Sequence, residues 1–503
     1  MFDNLKEGVR NRMREFLQIK DAATTTRMMI EQDMTHDVNV SLHKILYRTD
    51  AYETEQAFKS LNTDMARFWS SVPSSQRKIR KIRTDLYKLI INSYTDLVAT
   101  ALNEPDFEDD AKKEIFDNIF SNKNELNWWD LVKTATQKAL ITGDGAFKIS
   151  IDTELSEYPI VEFYDAEFVD YEYKRGRLVE IIFYNRFKEN KKWYTLEEHY
   201  GKGYIKYLLF DDEKKPCALA DLDYTKELQD ITFNGGYIMA QQFKIWDSSK
   251  YEGRGEPMLD GKIDEIDALD EVVSQWMDAL RAGRVNKYIP DSLIPRNENG
   301  DLMKPNPYDN QFIKVQGSLS EEADKITVVQ PDIAYEAMET TYANSIQRCL
   351  MGIESPSSLG IDQSKYDDNA TAQRERREIT GWKRKQITDV LESVLPALIE
   401  KVIMTYQNLT GALVDETVVS VSFDDYNSPG IEEKIEIATK GAPGVQVLTF
   451  KQIAEIIADD KSEAEQDELA AQLEALNKTT IEEPTIFPTD YDKAFEEEET
   501  PAE

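Results

Sequence analysis

Apolar residues in the first 125 positions recur at helical spacing. "SLHKILYRTDAYETEQAFKSLN" (41–62) and "RKIRTDLYKLIINSYTDLVATALN" (80–103) carry them three and four apart, which predicts two helices. From about 127 the period changes. "NWWDLVKTATQKALITGDGAFKISID" (127–152) passes from a helix through Gly143-Asp144-Gly145 into a strand. Segments 159–187, 191–200 and 203–210 are rich in β-branched and aromatic residues with turn signals between, which predicts a strand-rich meander. "MLDGKIDEIDALDEVVSQWMDALRAG" (258–283) is again helical. Residues 284–331 hold five prolines, two glycines and short strand candidates. A helix is expected over 332–353, a polar connection over 354–369, and a long helix over 370–409 with kinks at Gly381 and Pro396. "TVVSVSFDDY" (417–426) alternates like a strand, and a helical block follows from 430 to 476. The acidic, proline-spotted end from 477 reads as disordered. The fold class is α+β and predominantly α-helical.

The chain has 503 residues, enough for several domains and a large core. Ninety-five acids against sixty bases leave a formal charge of −35. Nucleic-acid affinity comes mainly from Lys and Arg neutralising phosphates, so this balance argues against a protein that grips DNA. Two cysteines, Cys217 and Cys349, make neither a disulfide framework nor a thiolate zinc site. His36, His43 and His199 are too scattered for a metal cluster, and His36 and His43 read as surface residues of one helix face. With no run of about 18 apolar residues and no signal-peptide core, the expectation is a chain made and kept in a reducing cytoplasm, without a membrane partner.

Enzyme signatures are missing. "GEPMLDGKI" (255–263) has the flavour of a phosphate loop, but Ile263 stands where a magnesium-binding Ser or Thr is needed. Asp144 between its glycines reads as a tight helix-to-strand turn rather than a catalytic acid. The basic run "RKIRKIR" (77–83) reads as a solvated helix start rather than a phosphate contact. No catalytic residue, metal or cofactor is expected.

One pattern calls for an explanation. Asp260, Asp264, Asp267, Glu271, Ser274 and Asp278 step by four and three down one face of the 258–283 helix, with no cation among them. Like charges at such spacing weaken an isolated helix. The opposite face carries Ile266, Leu269, Val273, Trp276 and Leu280. Such a stripe is ordinarily the solvated face of an amphipathic helix.

From 251 onward the order is helix, proline-rich insert, returning helix, "GIESPSSLG…DDNATAQRERR", long helix. This order resembles the portal proteins of tailed double-stranded DNA bacteriophages, in particular the siphophage-type family. The likeness spans about 30–475 and is most specific over 332–410. It implies a homo-oligomeric ring, commonly a dodecamer, at one capsid vertex, through which DNA is packaged and later ejected. By that resemblance 1–250 is the wing, with its strand-rich part at 145–250. Helices 251–283 and 332–353 form the stem, 284–331 the clip and 354–369 the tunnel loop. Residues 370–429 form the long wing helix and a strand, 430–476 the crown and 477–503 an acidic tail. The resemblance implies as partners the terminase large subunit, a head-completion (adaptor) protein, the major capsid protein and the scaffolding protein. The location implied is the virion, after assembly in the host bacterial cytoplasm.

On this reading the stripe, Asp260, Asp264, Asp267, Glu271 and Asp278, lines the DNA channel. An acidic wall repels the duplex over about 8 Å, one Debye length, and lets it slide. In the tunnel loop, Asp362, Lys365, Tyr366 and Asp367 face DNA. Lys365 is either a transient backbone contact or an idle loop lysine. Arg374, Arg376, Arg377, Lys383 and Arg384, with Trp276, are expected at contacts between subunits, where heterologous surfaces close a ring. Two other classes stay open: an acidic metal-dependent nuclease or transferase, and a non-portal capsid- or scaffold-associated protein.

Overall fold

The computed structural model describes residues 34–61, 67–71, 79–121, 124–283, 286–290, 294, 296, 300, 312–315, 327–329, 333–356, 358–361, 370–424, 426, 450–451, 454 and 463–480. The chain divides into two units, 1–426 and 427–503.

The apolar spacing of 41–62 builds two helices rather than one. Helix α1 (His36–Arg48) ends at Thr49, whose φ of 58° is left-handed, and Asp50 then caps α2 (Ala51–Ser60) by accepting from the Glu53 N–H. The segment expected to begin a helix at 80 starts one only at α3 (Leu86–Ala99), which buries Tyr87, Ile90, Ile91, Tyr94 and Val98 at the predicted spacing. The short β1 (Asp106–Phe107) and α4 (Asp110–Ile119) lead to α5 (Trp128–Thr142), capped by the Asn127 side chain on the Trp129 and Asp130 N–H groups.

Strands follow as the period change predicts. β2 (Asp144–Ser150) is central in an antiparallel sheet between β3 (Ile160–Asp165) and β10 (Ala240–Lys244). A larger antiparallel meander runs β4 (Val169–Lys174), β5 (Arg177–Glu189), β6 (Lys192–Gly201), β7 (Tyr204–Asp211) and β8 (Pro216–Cys217), with β9 (Ile231–Thr232) also on β7. Lys148 of β2 and Glu198 of β6 form a buried 2.8 Å pair between the two sheets, and the Tyr164, Phe183 and Tyr200 rings surround the ammonium. Neither sheet closes into a barrel.

Helix α6 (Ile263–Ala282) is preceded by a 3₁₀ turn at Asp260–Lys262. β11 (Asn286–Pro290), β12 (Phe312–Val315) and β13 (Thr327–Val329) form a small sheet in the order β12-β11-β13, parallel on one side of β11 and antiparallel on the other. Helix α7 (Tyr335–Leu350) returns against α6. Helix α8 (Ala370–Thr410) runs unbroken through Gly381 and Pro396, and Ile387, Leu391, Leu395, Leu398, Ile399, Val402 and Ile403 place it at the centre of the core. β14 (Val419–Ser420) pairs with β1, a shorter strand than the alternation of 417–426 suggests. In the second unit, the described residues include α9 (Glu463–Thr480) and a 3.0 Å Lys451–Asp467 ion pair.

Asp144 is a structural clamp. It is fully buried and accepts two parallel bonds from Arg254, at 2.9 and 2.8 Å, and a third from the Gly255 N–H at 2.6 Å. Arg254 also donates to the carbonyls of Val169 and Ala166, tying the helix–strand turn to the edge of the larger sheet. The turn brings Gly143 (φ 95°) against Gly255 so closely that a Cβ on either would collide with the other's backbone. The expected tight turn is present, and its aspartate is spent on holding it.

Arg254→Met leaves the Asp144 carboxylate buried without its cation, a change that typically costs about 3–5 kcal/mol. The expected outcome is a large fall in the thermal unfolding midpoint by circular dichroism; an unchanged midpoint would contradict the clamp.

Candidate functional site

The acidic stripe of α6 does not lie open to solvent along its length. Residues 67–71 and 79–85 run beside it in irregular conformation, and α6 supplies acceptors for their main chain. The Phe68 and Trp69 N–H groups donate to Asp267 at 3.0 and 3.3 Å, the Ile82 N–H to Ser274 Oγ at 2.9 Å, and the Thr84 N–H to Asp270 at 2.8 Å. Asp270 is wholly buried and also accepts from the Trp69 indole, the Thr84 hydroxyl and Arg83, the last at 2.5 Å. Burial raises the Asp267 carboxyl above its ordinary range despite its two backbone donors.

At the N-terminal end, Asp260 accepts from Asn39 at 3.2 Å, His43 Nε2 at 3.1 Å and Lys250 at 2.5 Å. A carboxylate only accepts, so His43 carries its proton on Nε2, and its Nδ1 accepts from the Tyr87 hydroxyl at 2.6 Å. Burial depresses the imidazole's pKa and keeps it neutral. Burial alone would raise the Asp260 carboxyl, but the bonds and charges of His43 and Lys250 outweigh it and hold the group far below the usual carboxylate range. His43 is therefore a core residue, not part of a surface pair.

Two sequence expectations need correction. Asp260 and Asp267 cannot line a channel, because both are buried on partners within their own chain. Nor does the helix lack cations: Lys250, Arg67 and Arg83 sit on Asp260, Asp264 and Asp270. Asp264 remains on the open side, with 73% of its side chain exposed despite a 2.8 Å bond to Arg67; Glu271 and Asp278 are half-buried. On a helical wheel the exposed residues Asp264, Ala268 and Gln275 fall to one edge of the acidic stripe, so the turn-wise offset decides which carboxylates see water. Of "RKIRKIR", Lys81 donates to the Trp69 and Ser71 carbonyls and Arg83 meets Asp270, so these two neither start a helix nor await phosphate.

Further along α6 the surroundings thin out. Ile266 and Leu269 belong to the chain's own core, whereas no residue from Gln275 to Arg281 is buried, nor any of α7 from Tyr335 to Ser345. Trp276 packs edge-on within the hairpin against Tyr335 and Tyr342 of α7, at ring separations of 6.3 and 5.8 Å, and its indole N–H has no partner. Met277, Leu280 and Tyr335 are exposed by 39, 42 and 56%.

The polar connection after α7 is not structureless throughout. Ile353, Glu354 and Ser355 are buried, Leu359 and Ile361 pack on the core, the Tyr94 hydroxyl donates to the Ile353 carbonyl at 2.5 Å, and the Ser355 N–H donates to Thr380. Glu354 is 2% exposed; Ser93 donates to one oxygen at 2.7 Å and the other has no partner. Burial pushes its carboxyl up to about 7. Asp362, Lys365, Tyr366 and Asp367 lie outside the described residues, as do the side chains of Arg374, Arg376 and Arg377. Lys383 sits 5.2 Å over the Trp246 ring. Arg384 is buried and donates to the Leu97 and Asp424 carbonyls, so its expected role between subunits is replaced by one inside the chain. Among the described residues no three His, Cys, Asp or Glu side chains group as a metal site, and no helix is long and apolar enough to cross a membrane.

The residues that sequence reading passed over are Asp270 and Glu354, and His43 lies in the core instead of on the surface. Asp270 stood off the chosen stripe, and its partners lie nearly two hundred positions earlier, where no local periodicity reaches.

Glu354→Gln tests the buried carboxyl. Its raised pKa means that the folded state holds the proton more tightly, so stability is lost as pH rises from about 4.3 towards 7. The glutamine variant should match the parent near pH 4 and exceed it at pH 8, by at most on the order of 3 kcal/mol, read as thermal midpoints across pH. Asp260 and His43 act in the opposite sense: their depressed pKa values favour the folded state above the unfolded pKa values and lose that contribution as the solution is acidified.

No family model and no curated protein matches this sequence.

Proposed function

We propose that the chain is the subunit of a phage portal, a ring that conducts double-stranded DNA into and out of a capsid without chemistry of its own. The observation that carries this reading is the α6–β-sheet–α7 hairpin, whose end towards the sheet leaves large apolar side chains without cover in the single chain. Met277, Leu280 and Tyr335 are exposed there, and the Trp276 N–H lacks an acceptor. A ring covers such faces by setting each subunit's hairpin against the next, through heterologous contacts repeated until they close. The order of hairpin, loop and long central helix is the order that the portal resemblance implies. On this reading the small sheet β12-β11-β13 is the clip that receives the terminase motor during packaging and the adaptor afterwards. The sheets and helices before α6 form the wing against capsid and scaffolding proteins.

The channel acids are then the exposed Asp264 and the half-buried Glu271 and Asp278 beyond it. Their charge, within a chain of net −35, repels the duplex over about one Debye length, ~8 Å at physiological salt, so the polymer is centred rather than held.

Electron microscopy of the purified full-length chain is expected to give rings with an axial hole; compact monomers at all concentrations would sink the proposal. Met277→Asp with Leu280→Asp should convert rings to monomers with unchanged circular dichroism, since each covered side chain is worth about 1.5–3 kcal/mol. Asp264→Lys with Glu271→Lys should leave ring assembly intact and slow DNA packaging, most strongly at low salt; normal packaging by this variant would remove these two acids from the channel.

A further inference from the structure

A cavity of about 180 Å³ lies between α4, the start of α5 and the loop before β1, away from the hairpin elements. Pockets that hold a drug-sized molecule measure roughly 300–1,000 Å³, so this one suits a single side chain with a little backbone. Its floor is aromatic. Phe116, Phe120 and Trp128 pack in a triangle at ring separations of 4.7, 5.3 and 5.1 Å, and Trp129 lines the cavity while remaining 39% exposed.

The shape and charge of the rim specify an occupant. Trp128, 3% exposed, belongs to the floor. At the rim stand the exposed carboxylates of Glu104 and Asp117 against one cation, Lys113. The surrounding segment "EPDFEDDAKKEIFD" (104–117) has seven acids and two bases, and Lys112 is engaged with the Glu416 carbonyl and Asp415. A cation is therefore favoured at the mouth, with aromatic faces beneath it.

We propose that this cavity docks an arginine-bearing peptide segment of a partner protein. The guanidinium lies against the Trp129 and Phe120 rings between Glu104 and Asp117. Arginine suits it better than lysine because a planar, weakly hydrated guanidinium stacks on rings while its N–H groups reach carboxylates in the same plane. A second copy of this chain, with its net charge of −35, is the poorer electrostatic match, and nucleic acid would meet carboxylates at the rim.

The probe is a dye-labelled, end-blocked peptide, Gly-Leu-Arg-Leu-Gly, titrated into the full-length protein and followed by fluorescence anisotropy. Saturable binding is expected, at least tenfold weaker when citrulline replaces the arginine. Glu104→Gln with Asp117→Asn, and separately Trp129→Ala, should weaken binding at least tenfold. Glu114→Gln, on the same acidic segment but outside the cavity, should bind as the parent does. Equal weakening by Glu114→Gln, equal affinity for the citrulline peptide, or no saturable binding at millimolar peptide would overturn the proposal.

Discussion

Main-chain N–H groups that enter the interior must find acceptors, and two irregular stretches of this chain find them on a helix. Residues 67–71 and 79–85 run beside α6 without a strand to pair with, and Asp267, Asp270 and Ser274 stand in for one. A carboxylate offers two oxygens and can accept several bonds at once beyond the helix's own ladder. Acids at helical spacing thus supply acceptors to an irregular segment. The negative charge this brings inside is balanced by Arg83, with a side-chain exposure of 2%, at the wholly buried Asp270.

The same economy recurs elsewhere. Asp144 meets Arg254, and Lys148 meets Glu198, each pair joining elements far apart in the chain. Removing one member of such a pair is costly, whereas the intact pair contributes more to choosing one arrangement than to raw stability. In this protein the buried pairs sit where sheets and helices of different orientation must meet. Aromatic and aliphatic packing could be satisfied by several arrangements at those places; paired charges accept few.

Much of the architecture could be read from spacing alone. The period change near 127, the strand meander, the helix over 263–282, its returning partner and the long helix after 370 all follow from alternation and three-four periodicity. The break at Thr49 was not visible, because a left-handed threonine followed by an aspartate cap leaves the apolar pattern undisturbed. The helix over 80–103 begins late because tertiary bonds to Asp270 and Ser274 hold its first residues extended. The stripe on α6 was legible as a stripe, but its meaning was not: sequence separates Asp260 from His43 and Asp270 from Arg83 by hundreds of positions, so a satisfied carboxylate and a free one look alike. Of the stripe, Asp264 alone is exposed, with Glu271 and Asp278 half-buried.

The way α6 is held also limits how it can turn. Four amide hydrogens and two basic side chains engage it through its N-terminal half and middle, and spinning the helix by even a third of a turn would strand them together. Any axial rotation of α6 within the body would therefore have to carry Phe68, Trp69, Ile82 and Thr84 with it.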